Sequence, residues 1–560
     1  MSDKQRQYVL YLVLLLVAVI PLFSFGLANH GLWTADEPRV AEIGREMALS
    51  GNWAIPTLNQ SPFLEEPPLY YASLAVVFRA FGGPSDTTVR IPSAMFAFAG
   101  VVGLFFLGSL LFGPRTGFIS GFIMATCGEY FRVAHWVIVD SALTCFVIFA
   151  LLFFMAAYLA NGRAKRFIFY GLCYISCTLA FYVKGFIGVV IPGLAILTFL
   201  VLDKNPREIL KMHLWFGLLV FVAMALPWFL SLWHQGGSEY LKIFLVHNHL
   251  ERFAGGSTGH SHPFYYYLFQ FPTAFLPWSI VIVPVLYWSF RGQNSKAGNA
   301  GKGTLLMLCW FIAGFVFLSV ASTKRVLYLM PIFAPISLLT AAYIDTTLTR
   351  PAFKKFENVF ITVFGLLPLL AGIGTIPAFI IASKKYDFGL PEKEFVLTIL
   401  FSLAAMAFSA ASIRNRRKDM TRFWGFSAAS ILLLLFIGLF SAVPILDRFK
   451  SFVPFCEEIK TSVPYPGTVY AYRPDETLKG VVPFYTGRFL KAIDSVSRLE
   501  EVLRKEKSVF VVVRDKREAL EKELLSTCKM SVLFKQYMGT NRSLVVLRNL
   551  TIDTAQAEHP

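Results

Sequence analysis

Trp33-Thr34-Ala35-Asp36-Glu37-Pro38-Arg39 opens, and Phe63-Leu64-Glu65-Glu66-Pro67-Pro68-Leu69-Tyr70-Tyr71 closes, a polar stretch caught between long apolar runs. It carries Asp36, Glu37, Arg39, Glu42, Arg45, Glu46, Glu65 and Glu66 in a chain of which only 16% is charged. A connection between membrane helices that serves only to connect is short. One this long, with two acidic clusters, points to function. From Arg39 to Ser50 the apolar residues Val40, Ile43 and Met47 fall at helical spacing, with Glu42, Arg45 and Glu46 on other faces. Pro38 suits a first helical turn, Thr34 and Glu37 have capping-box spacing, and Gly51 supplies a stop. A short amphipathic helix here is expected to lie along the membrane surface and hold Asp36 and Glu37 at the bilayer's edge. Pro67 to Phe81 is apolar but short, and reads as a second surface or partly inserted helix.

Outward from this stretch, the chain is a membrane protein by composition. Of its 560 residues 56% are hydrophobic, and the mean hydropathy is +0.58. Apolar runs of bilayer-crossing length recur about thirteen times. They lie near 8–27, 91–112, 117–134, 141–160, 167–183, 185–202, 213–234, 264–290, 304–321, 326–344, 357–382, 395–413 and 424–444. The first is too long, and lacks the small-residue site, for a cleaved signal peptide. The net charge of +17 sits mostly in short loops. Arg115, Arg163-Lys165-Arg166, Lys204-Arg207-Lys211, Lys354-Lys355 and Arg414-Arg416-Arg417-Lys418 all fall in one alternate set of connections, together with Lys4 and Arg6. The positive-inside rule makes that set, and the N-terminus, cytoplasmic. It also explains the charge without nucleic acid as a partner. The opposite set, including 28–90, 235–263 and the tail from Asp447, is longer and mixed in sign, and is the working face.

The fold class expected is therefore an all-α polytopic membrane protein of about thirteen transmembrane helices, residues 1–446, followed by a small α/β domain, 447–560. In the latter, Thr468–Tyr472, Ser508–Val513 and Leu544–Leu547 read as strands, and Ser495–Lys505 and Arg517–Leu525 as amphipathic helices. Cys456 and Cys528 are the two cysteines of this domain, and a disulfide between them is expected if it faces an oxidising compartment, two reduced thiols being the alternative. Cys173 and Cys177, four apart in an apolar run, have a packing spacing and no metal or redox motif.

Ionisable groups at the membrane edge are costly and mark function. Asp140 sits where a span emerges outside, with helix capping as its other reading. Lys184 lies between two apolar runs, where snorkelling to the interface is the plain alternative. His247, His249, His260 and His262 crowd one loop, with Arg252 in His249-Leu250-Glu251-Arg252-Phe253. Glu65, His247 and His249 are suited to a divalent metal, zinc or magnesium, although no tight ligand spacing demands one. No cofactor is required by the sequence, and hydrogen bonding to a sugar or phosphate is the other use of these histidines. Ser322-Thr323-Lys324-Arg325 leads into Tyr328 and Pro331; Lys324 and Arg325 offer charge-assisted contacts to a phosphate, or interfacial anchoring.

Asp36-Glu37-Pro38-Arg39, the Glu65-Glu66-Pro67-Pro68-Leu69-Tyr70-Tyr71 segment, Lys184-Gly185, His249 to Phe253 and the basic turn before Tyr328, in that order, resemble the bacterial aminoarabinose transferase family. More broadly, the chain is similar to the polytopic C-type glycosyltransferases that include protein O-mannosyltransferases. The resemblance implies transfer of a sugar from a polyprenyl (undecaprenyl) phosphate donor to lipid A, another glycan or a protein, at the periplasmic face of the bacterial inner membrane. It implies Asp36, Glu37 and Glu65 as catalytic carboxylates, with inversion at the anomeric carbon. Lys184, Arg252, Lys324 and Arg325 are implied to hold the donor phosphate, and Arg39, Asp140, His247, His249 and Tyr328 to contact substrate. Relatives usually have Glu-Lys-Pro where this chain has Glu65-Glu66-Pro67, which removes one phosphate contact and adds an acid. The competing class is a transporter or lipid flippase, but such proteins tend to show internal repeats and midplane sites. Here the charges gather at one face and no repeat is visible.

Overall fold

The computed structural model describes residues 3–33, 36–251, 261–291, 298–350, 353–386, 391–464, 467–506, 508–516, 518–538 and 542–549. The chain forms two compact units. One comprises Met1–Leu27, Leu64–Tyr70 and Arg90–Ala442; the other comprises Ala28–Phe63, Tyr71–Val89 and Val443–Pro560. The second unit begins its last segment close to the expected boundary at 446, but it also takes in most of the first polar stretch.

The first unit is helical. Among the described residues of the whole chain, ten helices are long and apolar enough to cross a membrane. The three expected spans that differ are instructive. Over 117–134 the helix Pro114–Thr126 stops at an extended Cys127 and restarts as Gly128–Ala134, with the Gly128 N–H donating to the Leu276 carbonyl. Over 185–202 the helix Ile187–Leu202 has only 16 residues, because Gly185 at φ 69° ends the preceding helix before it. Over 264–290 the helices Tyr266–Ala274 and Trp278–Arg291 meet at 115°, so an apolar run continuous in sequence is bent in space. If that bent pair is one span, the count is eleven.

The second unit is an α/β structure around a five-stranded sheet. Its strands are β1 (Val469–Tyr472), β2 (Leu490–Ile493), β3 (Phe510–Lys516), β4 (Met530–Tyr537) and β5 (Arg542–Asn549). They lie in the order β2-β1-β3-β5-β4. β1 pairs parallel with β2 and β3, whereas β5 pairs antiparallel with β3 and β4. Three expected strands and both expected helices are present, the latter as Val496–Lys505 and Ala519–Thr527. Ser495 caps the first of these, accepting from the Arg498 N–H.

Side chains alternate across this sheet. Val469, Ala471, Phe510, Val512, Leu544 and Val546 pack with Cys456 on one face, and Tyr470, Tyr472, Val511, Val513, Val545 and Leu547 pack with Cys528 on the other. The expected disulfide is therefore absent: both thiols are free and buried, with the sheet between them.

The helix Asp36–Ser50 forms as its apolar spacing predicts, but its polar face is not left exposed. Glu37, Glu42, Arg45 and Glu46 are buried along with Val40, Ile43 and Met47. Its polar face is satisfied inside the unit. Arg45 donates Nε and Nη2 to the two Glu42 oxygens at 2.6 and 2.7 Å, and Glu46 accepts from Thr57 Oγ1 at 2.6 Å and from the Gln60 N–H at 3.0 Å. The partner helix is Glu476–Thr486, where a Cβ on Gly480 would meet the Pro38 carbonyl at 2.5 Å. Pro67 to Phe81 contains the helix Leu69–Ala80.

Candidate active site

The residues singled out from sequence fall into two groups, one in each unit. In the membrane unit, Asp140 is the first residue of the helix Asp140–Leu159 and Lys184 the last of Arg163–Lys184. Both are therefore at the same end of an antiparallel helix pair. Lys184 Nζ donates to Asp140 Oδ1 at 2.7 Å, with Asp140 1% exposed, so the carboxylate serves an ion pair and the capping reading is set aside. The ammonium also lies 4.6 Å from the centroid of the Tyr328 ring, a cation–π geometry. Glu66 adds a further negative charge within electrostatic reach of Lys184. Arg325 does the same, with positive sign, for Tyr328.

The turn before Tyr328 is held by its backbone. The Arg325 N–H donates to the Tyr267 hydroxyl at 3.2 Å, and that hydroxyl donates to the Arg325 carbonyl at 3.1 Å. Lys324 is buried and donates to the carbonyls of His262, at 2.9 Å, and Ala321. Burial lowers its pKa from the ordinary lysine value. Its ammonium thus braces the 261–263 segment against the turn. His247 Nδ1 pairs with Glu251 at 2.8 Å on the surface, and Asn248 Nδ2 donates to the Leu64 carbonyl at 2.9 Å. Arg252, His260 and the His249 side chain lie outside the described residues. Among those described, no three His, Cys, Asp or Glu side chains are grouped to hold a metal.

An apolar groove of about 520 Å³ is lined by Phe186, two residues beyond Lys184 in the chain, and by Val189, Gly193, Ile196 and Leu200. Its other wall includes Cys173, Cys177 and Phe221.

In the second unit, Glu37 Oε2 accepts from the Trp33 N–H at 2.7 Å. This contact fixes the entry to the helix, whose expected cap Thr34 lies outside the described residues. Asp36 Oδ1 accepts from Arg39 Nη2 at 3.0 Å. The same guanidinium gives Nη1 to Glu476 Oε2 at 2.6 Å and lies 5.5 Å from the Phe63 ring centroid. Glu476 was not foreseen. It stands 437 residues from Arg39, and the local signal at Pro474-Asp475-Glu476 announces a helix start but no partner. Asp447 is likewise new, accepting from the Trp33 indole at 2.7 Å and the Gly31 N–H at 3.0 Å.

Comparison with known proteins fits this geometry. The family described as dolichyl-phosphate-mannose-protein mannosyltransferase matches residues 65–231. The undecaprenyl phosphate-alpha-4-amino-4-deoxy-L-arabinose arabinosyl transferase of Edwardsiella ictaluri (strain 93-146) is 29% identical over 447 residues, covering 77% of this chain and 76% of its own. ArnT from Cupriavidus metallidurans, in its crystal structure bound to undecaprenyl phosphate, superposes with a TM-score of 0.78 at 19% identity, over 98% of this chain and 99% of that one. The oligosaccharyltransferase of Archaeoglobus fulgidus in its apo form gives a TM-score of 0.52 at 12% identity, over 95% of this chain and 74% of its own. Fold and sequence define a multi-pass membrane glycosyltransferase with the C-type fold. Within that class, the chain is ArnT-like.

Proposed function

We propose that this protein transfers a sugar, of the 4-amino-4-deoxy-L-arabinose type, from undecaprenyl phosphate to lipid A on the periplasmic side of the bacterial inner membrane. The observation that carries this reading is the largely buried Lys184–Asp140 pair, followed two residues on in the chain by Phe186 of an apolar groove. It supplies a cation for a lipid phosphate and a path for its tail, and the relatives named for undecaprenyl phosphate-linked transfer supply the chemistry.

As the glycosidic bond to phosphate breaks, negative charge grows on the leaving phosphate and positive charge on the sugar ring. Lys184 and Arg325 stabilise the first, the kind of electrostatic contribution that is usually largest in enzymes. Asp140 keeps Lys184 aimed until the phosphate competes for it. Asp36 takes the proton of an acceptor hydroxyl, a step typically worth about 10²–10⁴-fold. Where the acceptor is an ionised phosphate, Asp36 orients it instead. Attack opposite the leaving group inverts the anomeric carbon. Glu37 and Glu65 are assisting carboxylates.

Mass spectrometry of lipid A from cells with and without the gene, together with transfer by the purified protein from an undecaprenyl-phosphate sugar, tests the proposal. A mass increment of one aminopentose that depends on the gene is expected. Solute uptake by reconstituted vesicles with no sugar transfer would reverse it in favour of a transporter.

A further inference from the structure

Tyr267, the second residue of the helix Tyr266–Ala274, is fully buried although its phenol is polar. We propose, resting on the reading of Lys184 as the cation for the donor phosphate, that Tyr267 is a positioning residue that sets the Tyr328 ring over Lys184.

A buried phenol needs a partner for its hydroxyl. Here the partners are the two backbone groups of one residue. The hydroxyl donates to the Arg325 carbonyl at 3.1 Å and accepts from the Arg325 N–H at 3.2 Å. The same carbonyl accepts from the Tyr328 N–H at 3.0 Å. That second bond spans three residues and opens the 3₁₀ helix Val326–Leu329. A carbonyl oxygen has two lone pairs, so both donors are accommodated. Tyr267 thus grips the point from which Tyr328 springs, one turn on.

Tyr328 in turn bears on the cation. Its ring centroid lies 4.6 Å from Lys184 Nζ, and Lys184 donates to Asp140 Oδ1 at 2.7 Å. Tyr267 is itself within electrostatic reach of Tyr328 and Asp140. A lysine ammonium sits on a flexible stem with rotatable donors, so its aim depends on what surrounds it. Asp140 and the Tyr328 ring supply that surrounding here.

The two segments are also joined upstream. Ser261 and Thr323 form an antiparallel bridge, the His262 N–H donates to the Ser322 carbonyl at 3.3 Å, and Lys324 donates to the His262 carbonyl at 2.9 Å. None of these contacts uses the phenol. Losing one hydroxyl should therefore shift the turn at Arg325 and leave the fold in place.

Purified full-length Tyr267→Phe, assayed with a polyprenyl-phosphate sugar, should lose about 10–100-fold in kcat/KM for the donor, the scale of a small misplacement. Donor KM should rise, because a phosphate contact made before the transition state is weakened, while acceptor KM stays within about twofold. A merely structural role would lower kcat through loss of folded enzyme and leave donor KM unchanged; that result overturns the proposal. Tyr328→Leu should raise donor KM in the same way, and an unchanged donor KM there overturns the proposal without recourse to Tyr267→Phe. In the Tyr328→Leu background, Tyr267→Phe should cost less than about a further twofold, since the two act as a unit. Full additivity would show that Tyr267 acts elsewhere. Wild-type kinetics for Tyr267→Phe beside an inactive Lys184→Ala overturns the positioning role alone. Wild-type transfer by Lys184→Ala overturns the reading of Lys184, and this inference with it.

Discussion

The two charged groups of this protein solve the same problem in opposite ways. Asp140 and Lys184 lie at the ends of neighbouring apolar helices, where the pair is largely removed from water and has few alternative partners. Asp36, Arg39 and Glu476 lie in a polar α/β unit, where each has water or another charge within reach and Glu476 is nearly half exposed. A charge in hydrocarbon surroundings must be paired or functional, so its presence alone is informative. A charge in a soluble unit is ordinary, and its meaning comes only from the fold. The first group should therefore be intolerant of losing either partner, and the second should separate activity from stability.

The sharpest test of that contrast is Asp36→Asn. Turnover should fall by about 10²–10⁴-fold while the purified protein keeps its wild-type thermal unfolding midpoint, measured with a polyprenyl-phosphate sugar and by scanning fluorimetry. Wild-type transfer by this variant would erase the functional half of the comparison. Lys184→Ala comes next, with an expected loss of about 10²–10³-fold in turnover. Here stability should fall too, because it strands the buried Asp140; breaking such a pair costs about 3–5 kcal/mol. If the unfolding midpoint of Lys184→Ala were no lower than that of Asp36→Asn, the two groups would not differ as described.

Smaller effects probe the scaffold of the second group. Gly480→Ala places a methyl against the Pro38 carbonyl, and overpacking of this kind costs about 1–3 kcal/mol. Its rate should fall with its stability, since the helix Asp36–Ser50, which carries Asp36, must move. Burial raises the Glu42 carboxyl to about 8, with Arg45 opposing the shift. A folded value above the unfolded one favours the protonated form, so this contribution to stability is complete below about 4.5 and is lost as pH rises through about 8. The wild-type unfolding midpoint should decline between those limits, and the decline should be shallower in Glu42→Gln. An identical slope in the two proteins would assign the titration to another group. The smallest effect belongs to Cys456→Ser: the variant should match wild type in non-reducing peptide maps apart from the substituted residue, with Cys528 reduced in both.

Much of the membrane unit was legible because hydrocarbon leaves few choices. Long apolar runs, basic loops and isolated charges such as Lys184 stand out, and the structure brings Lys184, Asp140 and Tyr328 together. Where spans failed to match, the reason was conformational: Gly185 takes a left-handed turn, and the run from 264 to 290 bends by 115°. The α/β unit was less legible. β2 has its two middle residues exposed, and β4 carries Lys535 and Gln536 at an edge, so neither shows a clean apolar alternation. The amphipathic spacing of Asp36–Ser50 was visible, but not that its polar face would be buried through the Glu42–Arg45 and Glu46 contacts. Nor can spacing along a chain show that two cysteines lie on opposite faces of a sheet. Glu476 illustrates the general limit: its pairing with Arg39, 437 residues away, leaves no local pattern in one sequence.

The discontinuity of the second unit has a consequence for biosynthesis. Its first two segments, Ala28–Phe63 and Tyr71–Val89, leave the ribosome before Arg90–Ala442 is made, and its sheet is the last part to appear. At roughly 5–20 residues per second, that delay is on the order of 20–70 s. Throughout it, the helix bearing Glu42, Arg45 and Glu46 has no Glu476–Thr486 to pack on. A chain truncated before Glu476 would leave this helix without that partner permanently.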